Sequence, residues 1–324
     1  MDPLLPIGLV VILGGWPERD DTPVLDMVGS LLEVYRRAFA GVIVSGDLKT
    51  QVPPQWADDA LHCPLAFKNY LCFSMAMERF EARGLRVHGY ALLQMDTYVN
   101  MLSVLHAPLD HVWVHGREGG PVMAGRACGD LEGLPNDSKG GDWEFWTARG
   151  PHLHPDLDLR ESTEQFWVRL KELGWLPADF PTENAFILEN EFYYVPRALA
   201  ADFGLLADEA VDLGLMHEVA VPGILMTLMR RGARCHEMSF RGGFREQLAP
   251  ELGLLEVDTG HKFNPRDDAL VAQLTRLAEL QMDAAREQKR AARAGLAPEE
   301  LCVPGRGRGG EEAAPAVEAA ERRR

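Results

Sequence analysis

Short apolar runs alternating with amphipathic segments constrain the first hundred residues more than any other feature. "IGLVVIL" at 7–13 is continuously apolar, as suits a strand buried on both faces. In "DTPVLDMVGSLLEVYRRAF", Leu25, Val28, Leu32, Tyr35 and Phe39 recur at helical spacing, and Pro23 stands near the start, where proline is tolerated. "GVIVSG" at 41–46 predicts a second strand, "FKNYLCFSMAMERFEARG" at 67–84 a helix stopped by Gly84, and "GYALLQMDTYVN" at 89–100 a third strand that ends at Asp96. Strand, helix, strand, helix, strand implies right-handed crossovers and a parallel sheet. Such sheets bind ligands at the carboxyl ends of their strands. Ser45, Gly46 and Asp47 end one of these strands, and Met95 and Asp96 end another. Asp96 is therefore a candidate ligand-binding carboxylate, although an acid in a turn after a strand commonly serves only the turn.

Farther along, "HVWVHG" (111–116) reads as a strand, and the periodicity then dissolves over 116–160 into a long insertion rich in Gly and Pro. Trp143, Phe145 and Trp146 in that stretch suit docking of the loop, or stacking on a sugar. A helix returns at 162–174, with Ser162 and Gln165 at capping-box spacing. "AFILENEFYYVPRALAADFGLLADEAVDLG" predicts a strand ending at Pro196 and then a helix. "HEVAVPGILMTLMRRG" places Pro222 near the first turn of an apolar helix, and "RCHEMSF" predicts a strand. Leu270, Leu274, Leu277 and Leu280 mark an amphipathic helix that turns basic. The domain is expected over 5–282, with the basic helix end and a disordered tail over 283–324.

Charge narrows the partners. The chain carries 33 basic and 49 acidic residues, and residues 1–285 hold 24 and 42 of them, a net −18 for the body. Such a surface repels phosphate backbones, so no nucleic acid is expected. A phosphorylated small molecule remains compatible where a divalent cation supplies the positive charge. No stretch approaches the ~20 apolar residues of a membrane span, and the start lacks the basic region of a signal peptide, so neither anchor nor export signal is expected. Cys63, Cys72, Cys128, Cys235 and Cys302 are odd in number and form no CxxC pair, which predicts free thiols. No Walker loop, HExxH or GxSxG occurs.

Four blocks in order resemble a family of eukaryotic GT-A-fold glycosyltransferase-like proteins related to the exostosin-type transferase domain. They are "LVVILGGWPERDDTPVLDMV" with "YRRAFAGVIVSG"; "NYLCFSMAMERF" with "GYALLQMDTYVN"; "NEFYYVPRALAADF" with "LMHEVAVPGIL"; and "DTGHKFNP". The last lacks the family's proline directly after His261, and Met95 stands where the family has the first of two adjacent acids. The resemblance implies a mixed, mostly parallel α/β sheet flanked by helices, a nucleotide-sugar donor and a glycan or glycoconjugate hydroxyl as acceptor. It also implies Mn²⁺ or Mg²⁺ on the donor diphosphate, and the Golgi or secretory pathway. Carried onto this chain, Asp96 and His261 become metal ligands. Ser45, Gly46, Asn100 and Lys262 become donor contacts, and Glu218 and Glu191 act near the acceptor.

Ordinary roles compete at each position. Asn100 suits a helix cap, and Glu218 suits the positive end of a helix. Glu191 suits the solvent face of a strand, and Lys262 a solvated charge. Met95 favours an alternative, a non-catalytic glycan- or nucleotide-binding homologue. A third reading, a metal-dependent hydrolase, rests on His152, His154, Asp156 and Asp158 in "HLHPDLD", where alternate side chains of an extended segment share a face.

Overall fold

A computed structural model describes residues 3–14, 21–63, 68–117, 147, 153–182, 191–242, 259–261 and 263–294. Its first elements are β1 (Leu5–Ile12), α1 (Thr22–Ala38), β2 (Phe39–Gly46), β3 (Asp59–His62), α2 (Asn69–Ala82), β4 (Gly89–Gln94), β5 (Thr97–Val99), α3 (Met101–His106) and β6 (Val112–Arg117). After them come α4 (Leu159–Glu172), β7 (Phe192–Pro196), α5 (Ala200–Asp212), α6 (His217–Arg230), β8 (Cys235–Gly242), β9 (Thr259–His261) and α7 (Asp268–Arg293). By compactness the chain divides at Arg286. Residues 1–286 hold the sheet, and the described residues beyond Arg286 continue α7 to Arg293. No described helix is long and apolar enough to cross a membrane.

The described strands form one sheet in the order β3-β2-β1-β4-β7-β6-β8-β9-β5, seven strands extended at one edge by the short β9 and β5. Pairings β1–β2, β1–β4, β2–β3, β6–β8 and β8–β9 are parallel, whereas β7 runs antiparallel between β4 and β6, and β5 antiparallel to β9. The protein is therefore α/β with a mixed, mostly parallel sheet.

Apolar residues on both sides of β1 explain its unbroken apolar run. Val10 and Ile12 join a cluster with Phe73 and Phe80 of α2, Trp167 of α4, Phe203 of α5 and Ile224 of α6. Leu9 and Val11 join the opposite cluster with Leu25, Leu32 and Tyr35 of α1 and Leu274 and Met282 of α7. Two glycines let α2 lie close to the sheet: a Cβ at Gly8 would stand 3.0 Å from Phe80, and one at Gly41 2.9 Å from it. Gly84 ends the α2 turn at φ +68°, a conformation costly for any other residue.

Several expectations are corrected. Cys63 and Cys72 are joined in a disulfide and Cys235 is disulfide-bonded, so these three are not free thiols. The end of β3 abuts the first turn of α2, bringing the Cys63 and Cys72 Cα atoms to 5.8 Å, a normal disulfide separation. The capping box of α4 is Asp158 with Glu161, one turn earlier than expected, and Ser162 is buried inside the helix. Residues 159 and 160 thus belong to a helix rather than to the insertion. Pro222 lies in the second turn of α6, since that helix begins at His217. Strands β3, β5 and β9 and helix α3 were not anticipated; each spans at most six residues, too few to display a period.

Candidate functional site

The chain leaves β1 for β2 and β3 on one side, then returns to place β4 on the other. Between β1 and β4 the strand order reverses, and crevices at such switch points are where open α/β sheets bind ligands. Residues at this carboxyl edge are held by the ladder itself. Met95 donates its N–H to the Ile12 carbonyl at 2.9 Å, and Leu13 donates to the Ser45 carbonyl at 2.9 Å. Asp96 thus follows directly on the register between the two diverging strands.

Asp96 is only 8% exposed. Its carbonyl accepts the Phe263 N–H at 2.9 Å, and the next residue, Thr97, pairs with His261 across β5 and β9. Two segments 165 residues apart in sequence therefore bring the backbone of His261 beside that of Asp96. The His261 side chain and all of Lys262 lie outside the described residues, as do His152, Trp143, Phe145 and Trp146. Met95 packs against the apolar cluster that contains Leu93 and Phe192. The Met95 side chain thus serves the core, and the acid of this turn is Asp96.

Ser45 is completely buried at the end of β2, beside Ile12 of β1 and Leu61 of β3, and its hydroxyl has no hydrogen-bond partner among the described residues. A Cβ on neighbouring Gly46 would come 2.7 Å from a carboxylate oxygen of Asp21, and one on Gly14 2.3 Å. Sequence reading missed Asp21. At the N-terminus of α1 it makes no cap hydrogen bond. Its Oδ2 instead accepts the Asp47 N–H at 2.8 Å, while its own N–H donates to the Asp47 carbonyl at 3.1 Å. This two-way bridge ties the end of β2 to the start of α1, and glycine at 14 and 46 makes the room.

Asn100 caps α3: its side-chain oxygen accepts from Leu102 at 3.1 Å and Ser103 at 3.4 Å. That capping is the role the residue type predicted. Glu191 is 5% exposed, so it does not face solvent as its alternating strand suggested. Its carbonyl accepts the Gln94 N–H at 2.8 Å, which places it beside the carboxyl end of β4.

Two further residues join Glu218 to that strand end. Gln94 occupies the face of β4 that continues Tyr90 and Leu92, and its Nε2 stands 3.3 Å from Nε2 of His217. His217 Nδ1 lies 3.2 Å from Oε2 of Glu218. Side-chain exposure is 13% for His217 and 23% for Glu218. Glu218 also sits in the first turn of α6, where a negative charge meets the positive end of the helix.

His154 and Asp158 take other work. His154 Nδ1 accepts from both Asp156 and Leu157 backbone N–H groups at 3.1 Å, and Asp158 Oδ1 caps α4 through the Glu161 N–H at 2.9 Å. Among the described residues no three His, Cys, Asp or Glu side chains gather in a metal-binding group. The donor set at Asp96, a single buried carboxylate, fits a hard cation that keeps waters and shares oxygens with a bound phosphate, rather than an all-protein cage.

Fold and site together define an α/β protein with an acid at the switch point of its sheet and a histidine–glutamate pair at the adjoining strand end. In comparisons with known proteins, no family model matches the chain and no curated protein matches it.

Proposed function

We propose that the protein is a GT-A-like glycosyltransferase, moving a sugar from a nucleotide-sugar to a hydroxyl of a glycan or glycoconjugate. The observation that carries this reading is the placement of Asp96 at the β1/β4 switch point, with the His261 backbone paired beside it. A mixed, mostly parallel sheet flanked by helices agrees with the resemblance drawn from the sequence motifs. Asp96, with His261 in support, would hold Mn²⁺ or Mg²⁺. Bound there, the cation would supply positive charge to the diphosphate as it leaves.

The chain's own residues take the remaining roles. Ser45, at the carboxyl end of β2, offers a buried hydroxyl to the donor, and the Asp21 bridge that Gly14 and Gly46 admit holds the end of β2 in place. Glu218 meets the acceptor hydroxyl. In an inverting transfer the hydroxyl oxygen bonds to the sugar carbon and its proton passes to Glu218. The bond from that carbon to the diphosphate oxygen breaks, and its electron pair leaves with the diphosphate. Glu191 would contact acceptor hydroxyls from its place beside the carboxyl end of β4.

One observation favours a second reading. Because Met95 packs into the core, the paired-acid motif is reduced to Asp96, which suits a homologue that binds a nucleotide or glycan without turning it over. Incubation with UDP- and GDP-sugars, Mn²⁺ and a panel of glycan acceptors separates the two. Metal-dependent release of the nucleotide, increased by acceptor, is expected for the transferase. Saturable nucleotide binding without release from any donor overturns the enzymatic reading in favour of the binding one.

A further inference from the structure

The buried stripe of α7 is apolar, with Leu274, Ala278, Met282 and Ala285 in the cluster that also holds Tyr98 and Met101, except at Gln281, which is 3% exposed. Its Oε1 accepts two hydrogen bonds, from the Tyr98 hydroxyl at 2.6 Å and from the Met101 N–H at 3.2 Å. A backbone N–H can only donate. Turning the amide over would set its NH₂ against Met101, so the orientation is fixed, although Nε2 has no hydrogen-bond partner among the described residues. A buried amide in an apolar stripe costs stability unless it answers a polar group that would otherwise be stranded. Here that group is the first N–H of α3. Asn100 takes the others: its side-chain oxygen accepts from Leu102 and Ser103, and its carbonyl accepts the Val104 N–H at 3.1 Å. Gln281 completes the N-terminal turn of α3 from 180 residues away in sequence.

These two bonds grip the segment that leaves Asp96. Tyr98 stands two residues after Asp96, and Met101 five after it. We propose that Gln281 is a positioning residue for the metal–donor site: by anchoring Tyr98 and the start of α3 to α7, it fixes the backbone of the turn that carries Asp96. Without it, β5 is held at the sheet edge by a three-residue ladder with β9, the kind of short pairing that opens locally. The part played in metal binding rests on the glycosyl-transfer reading; the anchoring of β5 and α3 does not.

Both parts are tested on the full chain. Gln281→Met keeps the length of the side chain and removes the acceptor. Amide hydrogen exchange at Met101, Leu102 and Ser103 is expected to rise about tenfold, the equivalent of one lost hydrogen bond, while Leu92 and Trp113 elsewhere in the sheet keep their rates. No rise at these three amides, or an equal rise throughout the sheet, overturns the anchoring. With saturating UDP or GDP, the apparent Kd of Mn²⁺ measured by titration calorimetry is expected to rise about tenfold in Gln281→Met. Tyr98→Phe should give a smaller loss, because Oε1 keeps the Met101 bond, and should add nothing to Gln281→Met, since both act on one acceptor. Phe203→Leu, which weakens the cluster on the opposite side of the sheet, should lower the melting temperature and leave Mn²⁺ affinity unchanged. Wild-type Mn²⁺ affinity in Gln281→Met, or an equal loss in Phe203→Leu, overturns the positioning role. Failure of the wild type to bind Mn²⁺ with either nucleotide refutes the functional reading and the metal part with it, while the exchange rates still decide the anchor.

Discussion

Replacing Trp113 with alanine lowers the unfolding free energy by about 3–5 kcal/mol, the cost of emptying a large aromatic site in a core. Trp113 is fully buried in β6, where antiparallel β7 joins the two parallel parts of the sheet. Its ring stacks on Tyr194 with centroids 4.1 Å apart, and a tilted contact reaches Phe192 at 6.4 Å. Its indole Nε1–H donates to the Pro108 carbonyl at 2.8 Å, while the Tyr194 hydroxyl donates to the Leu109 carbonyl at 2.8 Å. The two aromatics thus pin the turn before β6 as well as the strand pair. The loss is greater than burial alone would give, because the Pro108 carbonyl loses the indole donor and keeps only the longer bond from the His111 N–H at 3.2 Å. Trp113→Phe keeps a ring against Tyr194 and loses the hydrogen bond, typically worth about 1 kcal/mol. Urea unfolding of the three proteins checks the order wild type, Phe, Ala, with midpoints falling and slopes unchanged. A loss below about 1 kcal/mol for alanine would mean that this junction does not carry the sheet.

Asp96→Asn is expected to remove the stabilisation that Mn²⁺ and a nucleoside diphosphate confer together. A ligand at one hundred times its dissociation constant stabilises the native state by about 2.7 kcal/mol, so wild type should melt measurably higher with both present. The asparagine variant keeps the shape of the side chain and one acceptor oxygen but loses the charge. No acid at 95 compensates, because Met95 is committed to the apolar cluster beneath it. Calorimetric melting of both proteins with UDP or GDP, with and without Mn²⁺, reads the difference. An equal upward shift in the variant would place the anchor elsewhere.

Much of this arrangement is legible in the sequence. The apolar runs of β1, β2 and β4 and the spaced apolar stripe of α1 declare themselves because each is long enough to show a period. Their order implies parallel pairing, and hence a ligand edge containing Ser45, Gly46 and Asp96. Residues in short or mixed segments are silent. Asp58 and Asp59 disguise β3, and β5 and β9 have three residues each. The Cys63–Cys72 bridge is hidden for a different reason: nine residues of separation say nothing of how close two sulfurs come until β3 and α2 are placed.

Contacts distant in sequence are the least legible. Gln94 looks like a polar end to an apolar strand, and His217 like the opening of a helix. Only the fold makes them neighbours across 123 residues. Asp21 gives no signal in the sequence, because its bond to the backbone at Asp47 spans 26 residues. Cys63, Cys72 and Cys235 are disulfide-bonded, and such bonds form and persist in oxidising environments.

Residue-resolved NMR with paramagnetic Mn²⁺ tests the central claim most directly. With UDP or GDP present, substoichiometric Mn²⁺ should broaden the amides of Ser45, Gly46, Met95, Asp96, Thr97 and His261 first, with Mg²⁺ giving no broadening and Asp96→Asn erasing the pattern. Broadening centred on 153–158, or spread evenly over the acidic surface, would contradict a donor site at the junction of β1 and β4.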